Sequence, residues 1–188
     1  KYTYYIDTNN ISLQDLETQY EVDIRRRRRK AQHVGVKVYE REDFRELYRL
    51  AQMTFVRQHK IIPYTLDFLT TLYNACKQHD CCTIFFANYE NKNIAAMFLV
   101  YDNKRIYYLI GGIDSDYKDL GAMDMLLHEG IMLAYKTHKI FDFEGSIIES
   151  IEKYFRSFGA IQQPYFTITK INSKIIYMYK FLKELIKT

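Results

Sequence analysis

Apolar residues recur along the chain at two spacings, and these spacings predict an alternation of strands and helices. Ser12 is a residue type that caps helix N-termini, and apolar residues follow it at helical intervals as far as Ile24. The first helix should therefore run from Ser12 to about Gln32 and end before Gly35. The same pattern predicts five further helices, one of them short, over residues 42–55, 66–76, 121–134, 148–158 and 173–187.

Segments rich in aromatic and β-branched residues predict the strands of a central sheet. Three of these segments are separated only by the short polar turns 90–93 and 102–104, which are typical of antiparallel hairpins. Their apolar character is nearly continuous, so both faces of the sheet should be covered. The predicted strands lie at residues 2–6, 34–39, 82–89, 94–101, 105–111, 140–143 and 165–169.

The order of these elements is β, α, β, α, α, β, β, β, α, β, α, β, α. It predicts an α/β (α+β) fold in which helices flank a mixed central sheet that contains an antiparallel meander. The chain has 188 residues, 48% hydrophobic and 27% charged, which favours a single domain over 1–188 and excludes a disordered protein. Because the sequence begins at Lys1 inside a strand-like run, we expect it to be the C-terminal part of a longer protein.

The remaining composition excludes several classes of protein. Cys76, Cys81 and Cys82 are odd in number and two are adjacent, which favours reduced thiols and a cytoplasmic location. No His or Cys pair has zinc-ligand spacing, so we expect no metal cofactor. No apolar run approaches the ~18–20 residues of a membrane span, and no signal peptide is visible.

Six consecutive positive charges at Arg25–Lys30 account for much of the net charge of +4. The rest of the chain is nearly balanced, which excludes a protein that is basic all over for coating nucleic acid. Guanidinium groups match phosphate oxygens, so Arg25, Arg26 and Arg29 are candidates for binding an anion on tRNA, a nucleotide-linked sugar or coenzyme A. The alternative is a solvated helix C-terminus, where cations are favoured.

Four segments of the chain resemble the Fem-type branch of the GNAT acyltransferase superfamily. They are the arginine run with Gly35-Val36, Asp116–Ala122 with Leu126-Leu127, Phe141–Ser146, and Tyr154–Gly159. This branch contains the bacterial aminoacyl transferases that build peptidoglycan cross-bridges, together with relatives that are uncharacterised. The resemblance implies a GNAT fold, an acyl donor that is acetyl-CoA or aminoacyl-tRNA, and an amine acceptor.

The same resemblance implies a donor site around the start of the helix at residue 121. In the superfamily the loop before this helix holds the donor's pyrophosphate, because backbone N–H groups and the helix dipole attract anions there. Gly121 and Ala122 open the helix, and Lys118 adds a cation. Gly111 and Gly112 end the preceding strand, where they could let a substrate amide lie against the strand edge or could form a tight turn.

Candidate catalytic groups lie in the last two segments. Acyl transfer to an amine needs a base that removes a proton from the ammonium and a hydrogen-bond donor that stabilises the tetrahedral oxyanion. Glu144, at the exposed end of a buried strand, is the candidate base, and the alternative is that Asp142 or Glu144 caps the following turn. On the helix that follows, Lys153 and Arg156 are candidate cations, and Tyr154 is a candidate general acid.

Three functions remain open at this point. The first is a transferase that moves an acyl or aminoacyl group onto an amine by direct attack in a ternary complex. The second is a non-catalytic GNAT-like module that binds a phosphate-bearing ligand or RNA through Arg25–Lys30. The third is an acetyl-CoA-dependent N-acetyltransferase for small molecules. Glu144 and Phe155 stand where the family has glycine and lysine, and this departure keeps the non-catalytic alternative open.

Overall fold

The chain forms a seven-stranded mixed sheet within the part that the computed structural model describes, residues 1–145, 148–166, 168, 170–174, 176, 178 and 179. The strand order is β2-β3-β4-β5-β6-β1-β7, and only β5 and β6 run parallel to each other. The strands are β1 Tyr2–Asp7, β2 Lys37–Glu40, β3 Cys82–Tyr89, β4 Lys92–Tyr101, β5 Arg105–Ile113, β6 Ile140–Asp142 and β7 Ile161–Pro164.

Helices cover both faces of this sheet, as its apolar strands predict. They are α1 Leu13–Thr18, α2 Val22–His33, α3 Phe44–Arg57, α4 Leu66–Gln78, α5 Ala122–Lys136 and α6 Glu149–Arg156, with a 3-10 helix at Ser115–Leu120. Alternate residues of β4 divide between two cores: Met97 packs with α2, α5 and α6, and Phe98 packs with α3 and α4. Of the helix predicted over 173–187, the described residues 174, 176, 178 and 179 are helical.

The first predicted helix is wrong in one respect, because the structure divides it into α1 and α2. Ser12 caps α1 as expected, since its side chain accepts the backbone N–H of Asp15. The backbone then leaves the helix, because the N–H of Glu21 donates to the carbonyl of Ser157 at 2.8 Å. This turn buries the ring of Tyr20 against Phe158, with ring centroids 5.3 Å apart.

Two predicted strands lie at shifted positions. The strand predicted at 34–39 begins only at Lys37, because the N–H of Val36 still bonds the carbonyl of Ala31 in the turn that ends α2. The strand predicted at 165–169 lies instead at Ile161–Pro164, where it pairs with β1. Residues 165, 166 and 168 are outside any strand, and 167 and 169 lie outside the described residues, as does Ser146 of the Phe141–Ser146 segment.

The parallel strands β5 and β6 diverge, and this divergence positions the site described below. They pair from Arg105–Ile140 to Tyr107–Asp142, after which β5 continues to Ile113 on β4 alone. A bulge at Leu109 interrupts the pairing of β5 with β4 immediately after the last pair with β6. Because a bulge bends its strand, it directs β5 away from β6 at this point.

Gly112 is required by the packing of α3 on β5. A Cβ at Gly112 would overlap the backbone of Leu50 and Ala51, whereas a Cβ at Gly111 would meet only the side-chain end of Tyr108. Gly112→Ala should therefore lower the free energy of unfolding by about 1–3 kcal/mol, the usual cost of overpacking. Gly111→Ala should cost less, because the Tyr108 ring can move. Urea denaturation of both variants checks this, and equal losses would contradict the account.

Candidate active site

A cavity of about 440 Å³ opens where β5 and β6 diverge. Its walls come from β5, from the residues after β6, and from helices α3, α5 and α6, and they are mainly aromatic and aliphatic. Gly111 and Gly112 of β5 lie on one side, and Glu144 lies on the other. A concave, largely apolar site of this size with a few polar groups is typical of small-molecule binding sites.

The open edge of β5 brings backbone groups to this cavity. The N–H of Asp114 donates to Ile94 on β4, whereas the N–H of Ile113 donates in the other direction, to Thr54 of α3 at 3.0 Å. Since hydrogen-bonding directions alternate along a strand, the N–H and C=O of Gly111 point to the open edge. Of the two alternatives for Gly111-Gly112, the tight turn is wrong, because both residues lie within β5.

Glu144 follows β6 in a left-handed backbone conformation, with φ of +63°. Its N–H donates to the carboxylate of Asp142 at 2.9 Å, so the predicted capping by Asp142 is confirmed. Partial burial and the neighbouring Asp142 carboxylate raise the pKa of the Glu144 side chain. Glutamate is not favoured at positive φ, and such conformations cluster at functional sites.

Asp142 is held by side chains from two strands, β1 and β5, and by the backbone of Glu144. Its carboxylate accepts hydrogen bonds from the Thr3 hydroxyl at 2.5 Å and from the Arg105 guanidinium at 2.6 Å, in addition to the N–H of Glu144. Asp142 is only 5% exposed, so this buried charge is compensated by Arg105. The network fixes the backbone from which Glu144 projects.

A second cavity of about 420 Å³ lies against this network. Thr3, Arg105 and Asp142 line it, together with residues of β7, and the lining is more polar than that of the first cavity. Glu144 lines both cavities. One carboxylate therefore borders two adjoining spaces, one mainly apolar and one mainly polar.

The hydroxyl of Tyr154 is engaged by a buried carboxylate. It donates to Asp124 at 2.9 Å, and Arg27 binds the same carboxylate with two N–H groups at 2.9 and 3.2 Å. Burial and the Asp124 charge raise the pKa of Tyr154 well above its ordinary value. Its ring lines the β5–β6 cavity, but its proton is directed to Asp124. The predicted general acid thus has a structural partner.

The two candidate cations on α6 lie outside the cavity. Lys153 pairs with Glu149 at 2.9 Å, and Arg156 pairs with Glu152 at 2.9 Å. Phe155 occupies the inward position between them and packs on Phe143, with ring centroids 4.6 Å apart. Neither Lys153 nor Arg156 is among the residues that line either cavity.

The candidate donor loop is only partly available to a ligand. Gly121 and Ala122 are buried, and a Cβ at Gly121 would lie 2.7 Å from the carbonyl oxygen of Arg27. Gly121 therefore serves the close approach of α2, with φ of +76°. Asp124 places a carboxylate in the first turn of α5, and Lys118 is exposed.

The arginines of the run Arg25–Lys30 contact different partners. Arg26 pairs with Asp23 on the exposed side of α2 at 3.1 Å, and Arg27 binds Asp124. Arg25 and Arg29 border a separate cavity together with Arg28. The three predicted anion-binding residues are therefore not brought together, since Arg26 lies apart.

Sequence reasoning missed several polar residues of these sites, among them Asp124, Arg27, Arg105 and Arg57. Asp124 interrupts the apolar stripe of α5, but an acidic residue in a first turn is common and signals no partner. Arg57 lies at the end of α3, exposed, and lines the β5–β6 cavity. A local pattern cannot show that α3 ends at this cavity, because the contact depends on the tertiary fold.

Within the described ranges, no group of three or more His, Cys, Asp or Glu side chains is placed to hold a metal ion. The helices of the described part are also too short or too polar for any of them to cross a membrane.

Comparison with known proteins identifies one domain family. The family described as acetyltransferase (GNAT) domain matches residues 19–154. No curated protein matches the chain significantly.

Several solved structures share the fold at low sequence identity. FemX superposes with a TM-score of 0.70 at 12% identity, over 86% of this chain and 59% of the FemX chain. An acetyltransferase from Streptococcus agalactiae 2603 gives 0.55 at 14% identity, over 74% and 93% of the two chains. An aminoglycoside acetyltransferase from an uncultured soil metagenomic sample, in complex with sisomicin, gives 0.53 at 16%, over 73% and 97%. The chain thus spans about three fifths of FemX.

Proposed function

Because the chain belongs to the acetyltransferase (GNAT) domain family, we propose that it transfers an acyl or aminoacyl group onto an amine acceptor. The observation that carries this proposal is the position of Glu144, which borders both cavities. A carboxylate at such a junction can reach a donor on one side and an acceptor on the other. Direct transfer needs this arrangement, because both reactants must be held within reach of each other.

The acyl donor would lie in the cavity between β5 and β6. Gly111 presents its backbone N–H and C=O to this space, and these groups can pair with an amide of an extended donor. The apolar walls suit the aliphatic part of such a donor. Arg57 at the cavity lining supplies the cation that Lys153 and Arg156 do not bring there.

The amine acceptor would enter from the second, more polar cavity. Its ammonium gives a proton to the carboxylate of Glu144, and the free amine nitrogen attacks the acyl carbon. A C–N bond forms as the bond from the acyl carbon to the sulfur or oxygen of the donor breaks. The attacking nitrogen then loses its second proton, and the leaving group takes up this proton. The raised pKa of Glu144 suits this role, because a base whose pKa approaches the working pH exchanges protons effectively.

Two donor classes, acetyl-CoA and aminoacyl-tRNA, fit the proposal. A pyrophosphate at the start of α5 would lie near the buried Asp124 carboxylate, with Lys118 in the preceding 3-10 helix and Arg57 at the β5–β6 cavity as candidate cations. A cytoplasmic location, where both donors are made, is part of the proposal, as is transfer to a small-molecule amine if acetyl-CoA is the donor.

Thermal shift with four ligands tests the proposal: coenzyme A, acetyl-CoA, deacylated tRNA and aminoacyl-tRNA. A ligand that binds the native state raises the melting temperature by mass action. We expect one acylated donor to raise it and to lose its acyl group when a panel of primary amines is added. Leu109→Trp, which fills the cavity, should abolish the shift, because Leu109 lines that space.

Val56→Trp is the matched control, since Val56 is also an exposed apolar residue but lies outside the cavity. It should retain the donor shift. A shift that survives Leu109→Trp would place the donor elsewhere, and the absence of a shift with all four ligands would favour a non-catalytic module.

A further inference from the structure

Three arginines of α2 converge on a small cavity that the acyl-transfer proposal does not use. Arg25, Arg28 and Arg29 stand at helical spacings of three and four residues, so their side chains share one face of α2. Gln32 extends this face, and Glu17 of α1 forms the opposite wall. The cavity has a volume of about 190 Å³, and none of these residues lines the cavities that Glu144 joins.

Arg28 is the unusual member of this group. Only 9% of the residue is exposed, and its Nε has no hydrogen-bond partner among the described residues. One terminal nitrogen lies 3.5 Å from a carboxylate oxygen of Glu17, and the guanidinium carbon lies 5.5 Å from the ring centroid of Tyr20. A buried, unpaired donor on a charged group is costly, and such groups in native proteins call for an explanation.

The charges around the cavity are predominantly positive. Arg25 is positioned by a hydrogen bond to the carbonyl of Thr18 at 3.1 Å, and Arg29 is exposed, with no ion pair to a described residue. His128 lies 3.7 Å from Glu17. Burial, and to a smaller extent the positive charges of Arg28 and Lys136, lowers the pKa of His128 to about 3, so this side chain is neutral at pH 7. Three guanidinium groups therefore face one carboxylate.

We propose that this cavity binds a single phosphate group. Guanidinium N–H groups form directional pairs with phosphate oxygens, and three such side chains, Arg25, Arg28 and Arg29, line this one small space. The volume is below the roughly 300–1,000 Å³ of sites for drug-sized ligands, so the cavity suits one oxyanion and not a whole nucleotide. The phosphate is either the free ion or one terminal group of a larger ligand.

Calorimetric titration with inorganic phosphate at constant ionic strength tests this site. We expect saturable binding to the wild type that is absent with chloride. Arg29→Gln should weaken it about tenfold, because a charge-assisted hydrogen bond is lost. Arg26→Gln is the matched control: it lies on the same helix but pairs with Asp23 away from the cavity, and it should bind phosphate as the wild type does.

Two further variants separate binding from folding. Glu17→Gln should bind phosphate more tightly, since it removes the negative charge of the cavity wall, and a loss of folding cannot imitate a gain in affinity. Arg28→Lys keeps the positive charge but removes the planar guanidinium, which can donate two N–H groups to one phosphate, and it should bind phosphate more weakly. Equal phosphate binding by the wild type, Arg29→Gln and Arg26→Gln would overturn the proposal, as would no binding by the wild type.

Phenyl phosphate, compared with inorganic phosphate, distinguishes the two sources of the group. Tighter binding of the ester identifies a phosphorylated ligand, whereas preference for the inorganic ion identifies free phosphate. Either result supports the site if it is sensitive to Arg29→Gln, and insensitivity of both probes to this substitution would contradict it.

Discussion

Replacing Glu144 by glutamine is expected to lower kcat by about 10²–10⁴-fold, the usual contribution of a general base. Glutamine keeps the size of the side chain but cannot accept the proton of the attacking ammonium. Binding of the donor should change little, because the contacts proposed for it are with the backbone of β5. Steady-state kinetics of acyl transfer, with the donor found by thermal shift, measures the effect.

Two control variants test whether the loss of kcat is due to the Glu144 carboxylate itself. Glu149→Gln removes an exposed carboxylate that pairs with Lys153 on α6, and it should leave kcat unchanged. Glu144→Gly removes the carboxylate and relieves the left-handed backbone at φ of +63°, so it should be inactive without being less stable. Activity near the wild-type level in Glu144→Gly would show that the carboxylate is not the base.

Asp124→Asn is expected to cause a large loss of stability. It leaves the guanidinium of Arg27 without a charged partner and weakens the acceptor of the Tyr154 hydroxyl. Breaking a fully buried ion pair costs roughly 3–5 kcal/mol, and the 37% exposure of the Arg27 side chain reduces this to about 2–3 kcal/mol. Urea denaturation of the variant measures the free energy of unfolding.

Tyr154→Phe provides the comparison for this prediction. It removes one hydrogen bond to Asp124 but leaves the pair with Arg27 intact, so it should cost only about 1 kcal/mol. If Asp124→Asn destabilised the protein no more than Tyr154→Phe, the ion pair between α2 and α5 would not be the main contribution of Asp124 to stability. If Tyr154→Phe also abolished transfer, the phenol would have a chemical role beyond this contact.

Most of the fold follows from local patterns. The family match confirms the predicted GNAT fold, and FemX shares this fold at 12% sequence identity. The β3–β5 meander and α3–α5 follow closely from hydrophobic spacing and short polar turns. The break after α1 does not, because it depends on a hydrogen bond between Glu21 and Ser157, residues far apart in the chain.

The candidate site was predictable only in part. Glu144 is recognisable because it follows a predicted strand within the segment Phe141–Ser146, and Gly111 because it is predicted to end the strand before the donor loop. Both residues line the β5–β6 cavity. Lys153 and Arg156 fit the expected residue type, but the helical phase of α6 turns them toward Glu149 and Glu152. The sequence predicts that Arg25 and Arg29 bind an anion. The cavity that they line with Arg28 and Glu17 could not be predicted, because it depends on how α1 packs against α2.

The most direct test of the central claim, that Glu144 is the base, is the pH dependence of kcat/KM. Burial and the neighbouring Asp142 raise the pKa of Glu144, so activity should fall with decreasing pH at a midpoint above the ordinary pKa of glutamate. In Glu144→Gln this acidic limb should be absent from whatever activity remains. An acidic limb of the same midpoint in both proteins would assign the proton transfer to another group.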